Sequence, residues 1–561
     1  MAGFSAGLMA VILKSSVHAI QHVLSSLSFL GWGYILFPMV GIGLSVWVVQ
    51  RFFGGRVDRG LPPVLLSIAQ KSGFISRVNQ YLHVLTSALT VGFGGSAGLE
   101  APIVATGSAI GSNLARRVKT NYPERLLLLA SGAAGGIAAA FNAPIAGVMF
   151  AMEVILPETV VSHFIPLLIA SASGAICSRL ILNESILFEF QLHEGFAAIQ
   201  LPFYILLGGF SGLLSVHYMR MSHAIEGLFQ RFPERPYLRA VVGSAALGVL
   251  ILILPPLFSE GYPSVKILAS GNPWSLLDHP IFPDLPQSDV YLLILVASVF
   301  LLKGVATSIT IASGGNGGNF APSLFVGAYL GFFFSRLINQ IKWLHLPEEN
   351  FTVVGMAGIL SGVMHAPLTA IFLIAEITGG YTLIVPLMIV SSIALFISRH
   401  YERYSMDTKK LATQGKIFTT DRDHNVLQRL RLGRLLEADV ITVPATGTLN
   451  DLVEAIKKSR RNLFPVVHSN GDFAGIVLLD DVKDVIFDRD LYRWVVIEDV
   501  MTAPPATLDL HEDMDHVMKT FEQTQAWNLP VLDGTQYVGM VSKAGIFNQY
   551  RDALADQQEV F

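Results

Sequence analysis

The sequence predicts an all-α polytopic membrane domain built from two repeats with broken helices, followed by a C-terminal α/β domain that is itself duplicated. Three observations predict it. The chain of 561 residues is 52% hydrophobic but only 14% charged, against roughly 25% charged in soluble proteins, and its mean hydropathy is +0.53. Roughly half of its charged residues fall after Ser405, in little more than the last quarter. Two kinds of Gly- and Pro-rich interruption also recur, in the same order, in both halves of the apolar part.

Apolar stretches fill residues 2–28, 32–52, 76–93, 123–154, 159–182, 200–216, 237–257, 289–302, 320–337, 351–377 and 381–398. Several approach the ~20 residues that a spanning helix needs, and the others are too short. Irregular backbone facing lipid leaves amides and carbonyls unpaired, so the joints between these stretches must be buried or line a cavity. Broken helices therefore point to an internal binding site. The chain opens without a basic segment before its first apolar run, so no cleavable signal peptide is expected and insertion rests on the helices. The single cysteine, Cys177, excludes an internal disulfide and a multi-cysteine metal site, and reads as a small buried apolar residue. A net charge of −4 gives no basic footprint for nucleic acid.

The joints carry the repeat. Gly98-Leu99-Glu100-Ala101-Pro102 returns as Gly318-Asn319-Phe320-Ala321-Pro322, and Ala143-Pro144 followed by Glu153 returns as Ala366-Pro367 followed by Glu376. Paired interruptions in two halves mark a transporter built from repeats, with its site where the broken helices meet. The expected division is a membrane domain over 1–405, with repeats about 1–195 and 196–405, and a linker over 406–434. Two modules follow, over 435–490 and 491–555. In these modules Phe464-Pro465-Val466-Val467 with Gly475-Ile476-Val477 is answered by Leu529-Pro530-Val531-Leu532 with Gly539-Met540-Val541, which implies a duplicated βαββα unit.

Chemistry is expected at the joints. Glycines let backbone amides converge, Pro102 suits a first helical turn, and free amides with a positive dipole end hold an anion without a full positive charge. Glu100 offers its own carboxylate to that site, either as a helix-start acid or as a gate that competes with the anion and leaves when protonated. A matching start lies at Gly317-Gly318-Asn319-Phe320-Ala321-Pro322, so the amides of Asn319 and Phe320 are placed to face the first.

These motifs, with Phe141-Asn142-Ala143-Pro144 and Met364-His365-Ala366-Pro367, strongly resemble the chloride channel and chloride/proton antiporter (CLC) family, and the C-terminal pair looks like its tandem CBS modules. The resemblance covers nearly the whole chain. It implies a homodimer in the plasma or inner membrane, each subunit with its own pore in two inverted halves, and CBS modules in the cytoplasm. By motif it makes Glu100 the gating glutamate, Gly98, Asn319 and Phe320 part of the anion site, and Tyr404 a hydroxyl donor to the central ion. Asp58-Arg59-Gly60-Leu61-Pro62 matches the family's Gly-Ser-Gly-x-Pro, so Arg59 and Gly60 stand where a serine and glycine commonly meet chloride. Antiporters of the family usually carry Glu-Glu after the Phe-Asn-Ala-Pro helix. Here Glu153-Val154 leaves valine at the inner proton-relay position.

The implied partners are chloride and other small anions, protons, lipid and a second copy of the chain. The expected function is chloride transport through a glutamate-gated pore, channel-like or loosely proton-coupled. An antiporter with a water-mediated inner proton path is the alternative, and fluoride is disfavoured because Tyr404 and the CBS pair look unlike fluoride-exporting relatives. A CBS-regulated cation transporter would need acidic clusters facing the membrane interior. An enzyme would need a nucleophile with its base or a metal-ligand spacing; neither is found, and no metal site is expected. No cofactor is expected apart from an adenine nucleotide at the CBS pair, where a Gly-x-x-Ser/Thr-x-x-Asp pattern is split: the first copy keeps Asp481, the second Ser542.

Overall fold

The computed structural model describes residues 1–27, 33–55, 60–70, 73–156, 163–182, 195–231, 235–270, 272–277, 288–341, 345–413, 430–437 and 439–558. They fall into two units, Met1–Ile417 and Phe418–Phe561.

In the first unit, the first half contributes α1 (Ala2–Leu27), α2 (Gly33–Phe53), α3 (Pro62–Gln70), α4 (Asn79–Gly92), α5 (Glu100–Val118), α6 (Tyr122–Phe141), α7 (Pro144–Phe150, prolonged by a π-helical turn over Ala151–Ile155) and α8 (Phe164–Leu182). The second contributes α9 (Leu201–Phe229), α10 (Pro236–Ile253), α11 (Tyr262–Ala269), α12 (Asp289–Ala312), α13 (Phe320–Asn339), α14 (Glu348–Met364), α15 (Pro367–Ile377) and α16 (Ile384–Tyr401), followed by α17 (Met406–Thr413). Among the described residues nine helices are long and apolar enough to cross a bilayer. The chain is an integral membrane protein of the fold class the sequence predicts.

Neighbour relations repeat between the halves. The α5–α6 packing recurs as α13–α14, α6–α8 as α14–α16, α1–α6 as α9–α14, and α1–α8 as α9–α16. The Ala-Pro joints explain themselves locally. Helix α6 ends on Asn142 at φ +54° and α14 on His365 at φ +55°, left-handed caps that free the chain to turn. Two residues later Pro144 and Pro367 open α7 and α15, where a missing amide proton costs nothing.

Two carboxylates then lock the halves together. Glu153, in the π-helical turn, accepts from Leu368 N at 3.0 Å and Thr369 N at 2.8 Å, at the start of α15. Glu376, on α15, accepts from Ile145 N at 2.9 Å and Ala146 N at 2.8 Å, at the start of α7. Each acid therefore satisfies the free amides of the other half's short helix and lies against its positive dipole end. The shared spacing of the two glutamates in the sequence is the imprint of this exchange.

The first unit runs to Ile417, past the boundary at 405 expected from the sequence. Helix α17 packs against α3 and α14, so the first part of the expected linker is membrane-domain structure. In the second unit, β1 (Val443–Pro444), β2 (Leu463–Val467) and β3 (Phe473–Leu478) form one sheet, and β4 (Leu508–Asp509), β5 (Asn528–Asp533) and β6 (Gln536–Ser542) another. In each, the first strand runs parallel to the second and the second antiparallel to the third. The register shifts at the same place in both, between Val466 and Val467 and between Val531 and Leu532.

Candidate functional site

The sharpest break in each half lies between α4 and α5 and between α12 and α13. Gly98 and Gly318 form an antiparallel bridge, each amide donating to the other's carbonyl at 2.9 Å. A Cβ on Gly318 would stand 2.5 Å from Ala101 Cβ, and one on Gly98 2.3 Å from Glu100 Oε2, so the two starts meet only because neither residue has a side chain. Around the bridge the contacts are reciprocal. Ser96 N donates to Thr310 Oγ1 at 3.1 Å, and Asn316 N donates to Thr90 Oγ1 at 3.0 Å. Two buried loops that would otherwise strand their amides are thus each satisfied by a threonine of the other half.

A narrow cavity lies beside this crossing, with room for about one water-sized body. Its polar lining comes from helix starts: Leu61 just before α3, Glu100 and Ala101 at the start of α5, Asn319 and Phe320 at the start of α13, and Asp407 in the first turn of α17. Ile137 and Phe150 add apolar wall. Four helices therefore present N-terminal ends to one small space. Helix starts carry partial positive charge and first-turn amides, a setting suited to a small anion, although α3 opens on Pro62-Pro63 and brings no amide hydrogen from those two positions.

Glu100 occupies part of this setting itself. It is 3% exposed, and its Oε2 accepts from Ala321 N of α13 at 3.3 Å while Oε1 accepts from the Tyr262 hydroxyl of α11 at 2.8 Å. The carboxylate of one half thus sits on the helix start of the other, where an anion would sit. A second carboxylate flanks it, since Glu260 Oε1 accepts from Leu99 N at 3.3 Å. Two lysines complete the neighbourhood, half-buried Lys14 and buried Lys303. Lys14 of α1 donates to Ala140 O and interacts with both glutamates. Lys303 of α12 donates to Ser259 O at 2.9 Å, its ammonium 4.6 Å from the Phe325 ring centroid.

The other residues singled out in the sequence fall as follows. Asn319 and Phe320 line the cavity, and the Asn319 side chain is oriented by the Tyr218 hydroxyl of α9, which donates to Oδ1 at 3.0 Å. The Gly98 amide is committed to Gly318 O and the Gly318 amide to Gly98 O, so neither faces the cavity as a free donor. Gly60, at φ +76°, precedes lining residue Leu61, and Arg59 lies outside the described residues. Val154 packs against the apolar core, and Glu153 is held at α15.

Tyr404 is not among the residues lining the cavity. Its ring lies 5.8 Å from the Arg403 guanidinium, in the turn before α17. The side chain that reaches the cavity from this segment is Asp407. The helix begins at Met406, which places Asp407 in its first turn.

In the second unit, Ser542 Oγ donates to Glu437 Oε1 and accepts from Gly545 N at 2.9 Å. Glu437 in turn pairs with Arg461, which also holds Asp439 at 2.6 Å. That guanidinium keeps the Asp439 carboxyl below the usual carboxylate range. Asp481 is exposed in the turn after β3. The signals for Glu260, Tyr262, Tyr218, Lys14 and Lys303 were absent from the motifs, because each comes from a segment with no repeat signature.

The family model described as voltage gated chloride channel matches residues 41–399, and the CBS domain model matches 432–488 and 497–552. The chloride channel protein CLC-f of Arabidopsis thaliana is 27% identical over 74% of this chain and 58% of its own length, so this chain spans little more than half of that relative. The voltage-gated ClC-type chloride channel ClcB of Escherichia coli O81 (strain ED1a) is 28% identical over 67% of this chain and 86% of its own length. Among solved structures, a slow cyanobacterial Cl−/H+ antiporter superposes with a TM-score of 0.65 at 22% identity, covering 75% of this chain and 97% of the other. A eukaryotic CLC transporter superposes with a TM-score of 0.62 at 20% identity, covering 97% of this chain and 96% of the other. Both likenesses concern the fold.

Proposed function

The chain belongs to the voltage gated chloride channel family, and from that premise we propose that it carries chloride across the membrane through the cavity at the four helix starts, with Glu100 as its gate. The observation that supports this reading is the Glu100 carboxylate held by Ala321 N, the first-turn amide of the opposite repeat. A negative group already occupies the ground that the permeant anion needs. Protonation removes the charge and weakens its hold on that amide, because hydrogen bonds to an ionised acceptor are roughly twice as strong as neutral ones. The gate then swings away and an anion takes the vacated amides.

The helix starts around the cavity support the anion over the cation reading, because their partial positive charge favours a negative occupant. The relatives are named as channels and transporters, and no catalytic activity is proposed. We place the CBS unit on the cytoplasmic side and the working protein as a homodimer, in keeping with the family resemblance. The sequence ground for channel-like transport was valine at position 154. Asp407 at the cavity puts a carboxylate where that ground assumed none.

The test is chloride efflux from proteoliposomes, measured against pH. Glu100→Gln removes the gate's share of the pH response, so flux at high pH exceeds that of the wild type. Wild-type vesicles that release no chloride would sink the transport reading. A Glu100→Gln variant that closes as pH rises in the same way as wild type would sink the gate.

A further inference from the structure

We infer that Asp407 is a second protonatable gate on the cavity that Glu100 also lines, and that it supplies the inner proton station that Val154 does not. The inference rests on the chloride-transport reading above. Asp407 stands in the first turn of α17 and lines the same cavity as Glu100, Asn319 and Phe320. Among the described residues its carboxylate has no hydrogen-bond or ion-pair partner, whereas the other acids of this region are engaged. Glu153 and Glu376 hold helix starts, and Glu402 takes Arg220 at 2.7 Å and Lys409 at 2.5 Å.

The charged and titratable groups around Asp407 leave it unneutralised. Its own helix offers Lys409, which is committed to Glu402, and exposed Lys410. Helix α9 offers Glu226, a like charge, and the Tyr218 hydroxyl, which is committed to Asn319. Helix α3 carries no charged residue. Helix α14 carries Glu348, bound to Arg336, and Glu349, both in its first turn, and ends beside His365. Glu100 lines the same cavity. A lone carboxylate facing other acids is held in its ionised form only by the dipole of α17, and an arriving anion disfavours that form further.

The two protonation states then do different things. Protonated Asp407 presents an O–H donor to the central anion, the service expected of a tyrosine hydroxyl. Ionised Asp407 repels the anion from the inner end. The cavity admits about one water-sized body, so that one body is either a chloride or a water bridging the two acids. With water present, a proton passes from the Asp407 carboxylic acid through it to the Glu100 carboxylate, leaving Asp407 ionised and Glu100 neutral. Glu100 leaves the Ala321 amide and delivers the proton outward, a chloride enters in its place, and Asp407 recovers a proton from the inner side. One carboxylate gains the proton that the other loses, and chloride and proton move in opposite directions.

The experiment uses full-length protein in vesicles, with chloride efflux and chloride-driven proton movement as readouts. In a Glu100→Gln background, efflux still rises about tenfold or more on acidification, the size expected for removing a like charge next to the ion path. Adding Asp407→Asn flattens that profile, and Asp407→Glu restores it, which separates titration from packing. In the otherwise wild-type protein, Asp407→Asn stops proton uptake driven by a chloride gradient. A Glu100→Gln protein already flat with pH, or a double variant that keeps its slope, overturns the proposal while leaving chloride transport standing. Wild-type vesicles without chloride efflux overturn the transport reading and this proposal with it.

Discussion

Replacing Tyr262 by phenylalanine isolates the force that keeps the gate shut. The hydroxyl donates to Glu100 Oε1 at 2.8 Å, and the ring stays in place because only one oxygen is removed. A hydrogen bond to a charged acceptor contributes about 1.5–3 kcal/mol. The bond favours the ionised, closed gate, so its loss makes protonation easier and opens the pore at lower proton concentration. At about 1.36 kcal/mol per pH unit, the midpoint of flux against pH should move up by about 1–2 units in Tyr262→Phe. The assay is initial chloride efflux from proteoliposomes over a pH series, repeated in a Glu100→Gln background to complete a double-mutant cycle. The shift should vanish in that background, since the glutamine has no proton to gain. A midpoint that stays put or moves down in the single variant would refute the reasoning, as would an equal shift with and without the carboxylate.

Three further outcomes follow from the structure and sequence. Glu376→Gln keeps one acceptor oxygen but loses the charge that holds Ile145 N and Ala146 N; it should destabilise the detergent-solubilised protein by about 1–3 kcal/mol, seen as a lowered thermal midpoint, and an unchanged midpoint would count against the cross-capping role. Arg59→Ser should slow anion entry most at low ionic strength, because a unit charge about 8 Å from the path is worth about 2 kcal/mol at an effective dielectric near 20 before screening; equal effects at low and high salt would contradict an electrostatic role. Adenine nucleotide should bind the full-length protein weakly, because Ser542 is already engaged by Glu437 and the second copy lacks the acid. Submicromolar affinity by calorimetry would overturn that expectation.

What the sequence disclosed was whatever the fold had to write twice. The Gly98 and Gly318 joints, the Ala-Pro turns and the glutamates nine residues beyond each proline all serve contacts between the repeats, so each left two matching traces. The structure gives those traces their physical content in the glycine bridge and the exchanged carboxylate caps. The sequence was silent where one half contributes alone. Tyr262 reaches Glu100 from a short helix and Glu260 reaches Leu99 from the loop before it, neither with a counterpart motif, and Tyr218 reaches Asn319 from the middle of a long apolar helix. Tyr404 was placed at the central ion by motif resemblance, and the cavity lining from this segment is Asp407. The signal for Asp407 was present: Ser405 before Met406-Asp407-Thr408 is a capping residue followed by an acid in the first turn, the signature of a helix start.

A charge tally over the cavity joins these observations into one constraint. Each helix start contributes the equivalent of about +0.5 charge, so four of them bring about +2 to the space that Glu100 and Asp407 share. With both acids ionised, the carboxylates offset that charge and leave nothing to attract a further anion. By this tally chloride enters without a net repulsive field when one acid takes up a proton, or when it displaces ionised Glu100 from the site. On the function proposed above, electrostatics alone would link anion occupancy to protonation, without a carboxylate at position 154. An anion that displaces ionised Glu100 costs the site one charge in exchange for another. An anion that enters while both carboxylates stay in place and ionised faces an uncompensated negative charge, and a proton on either acid removes that penalty.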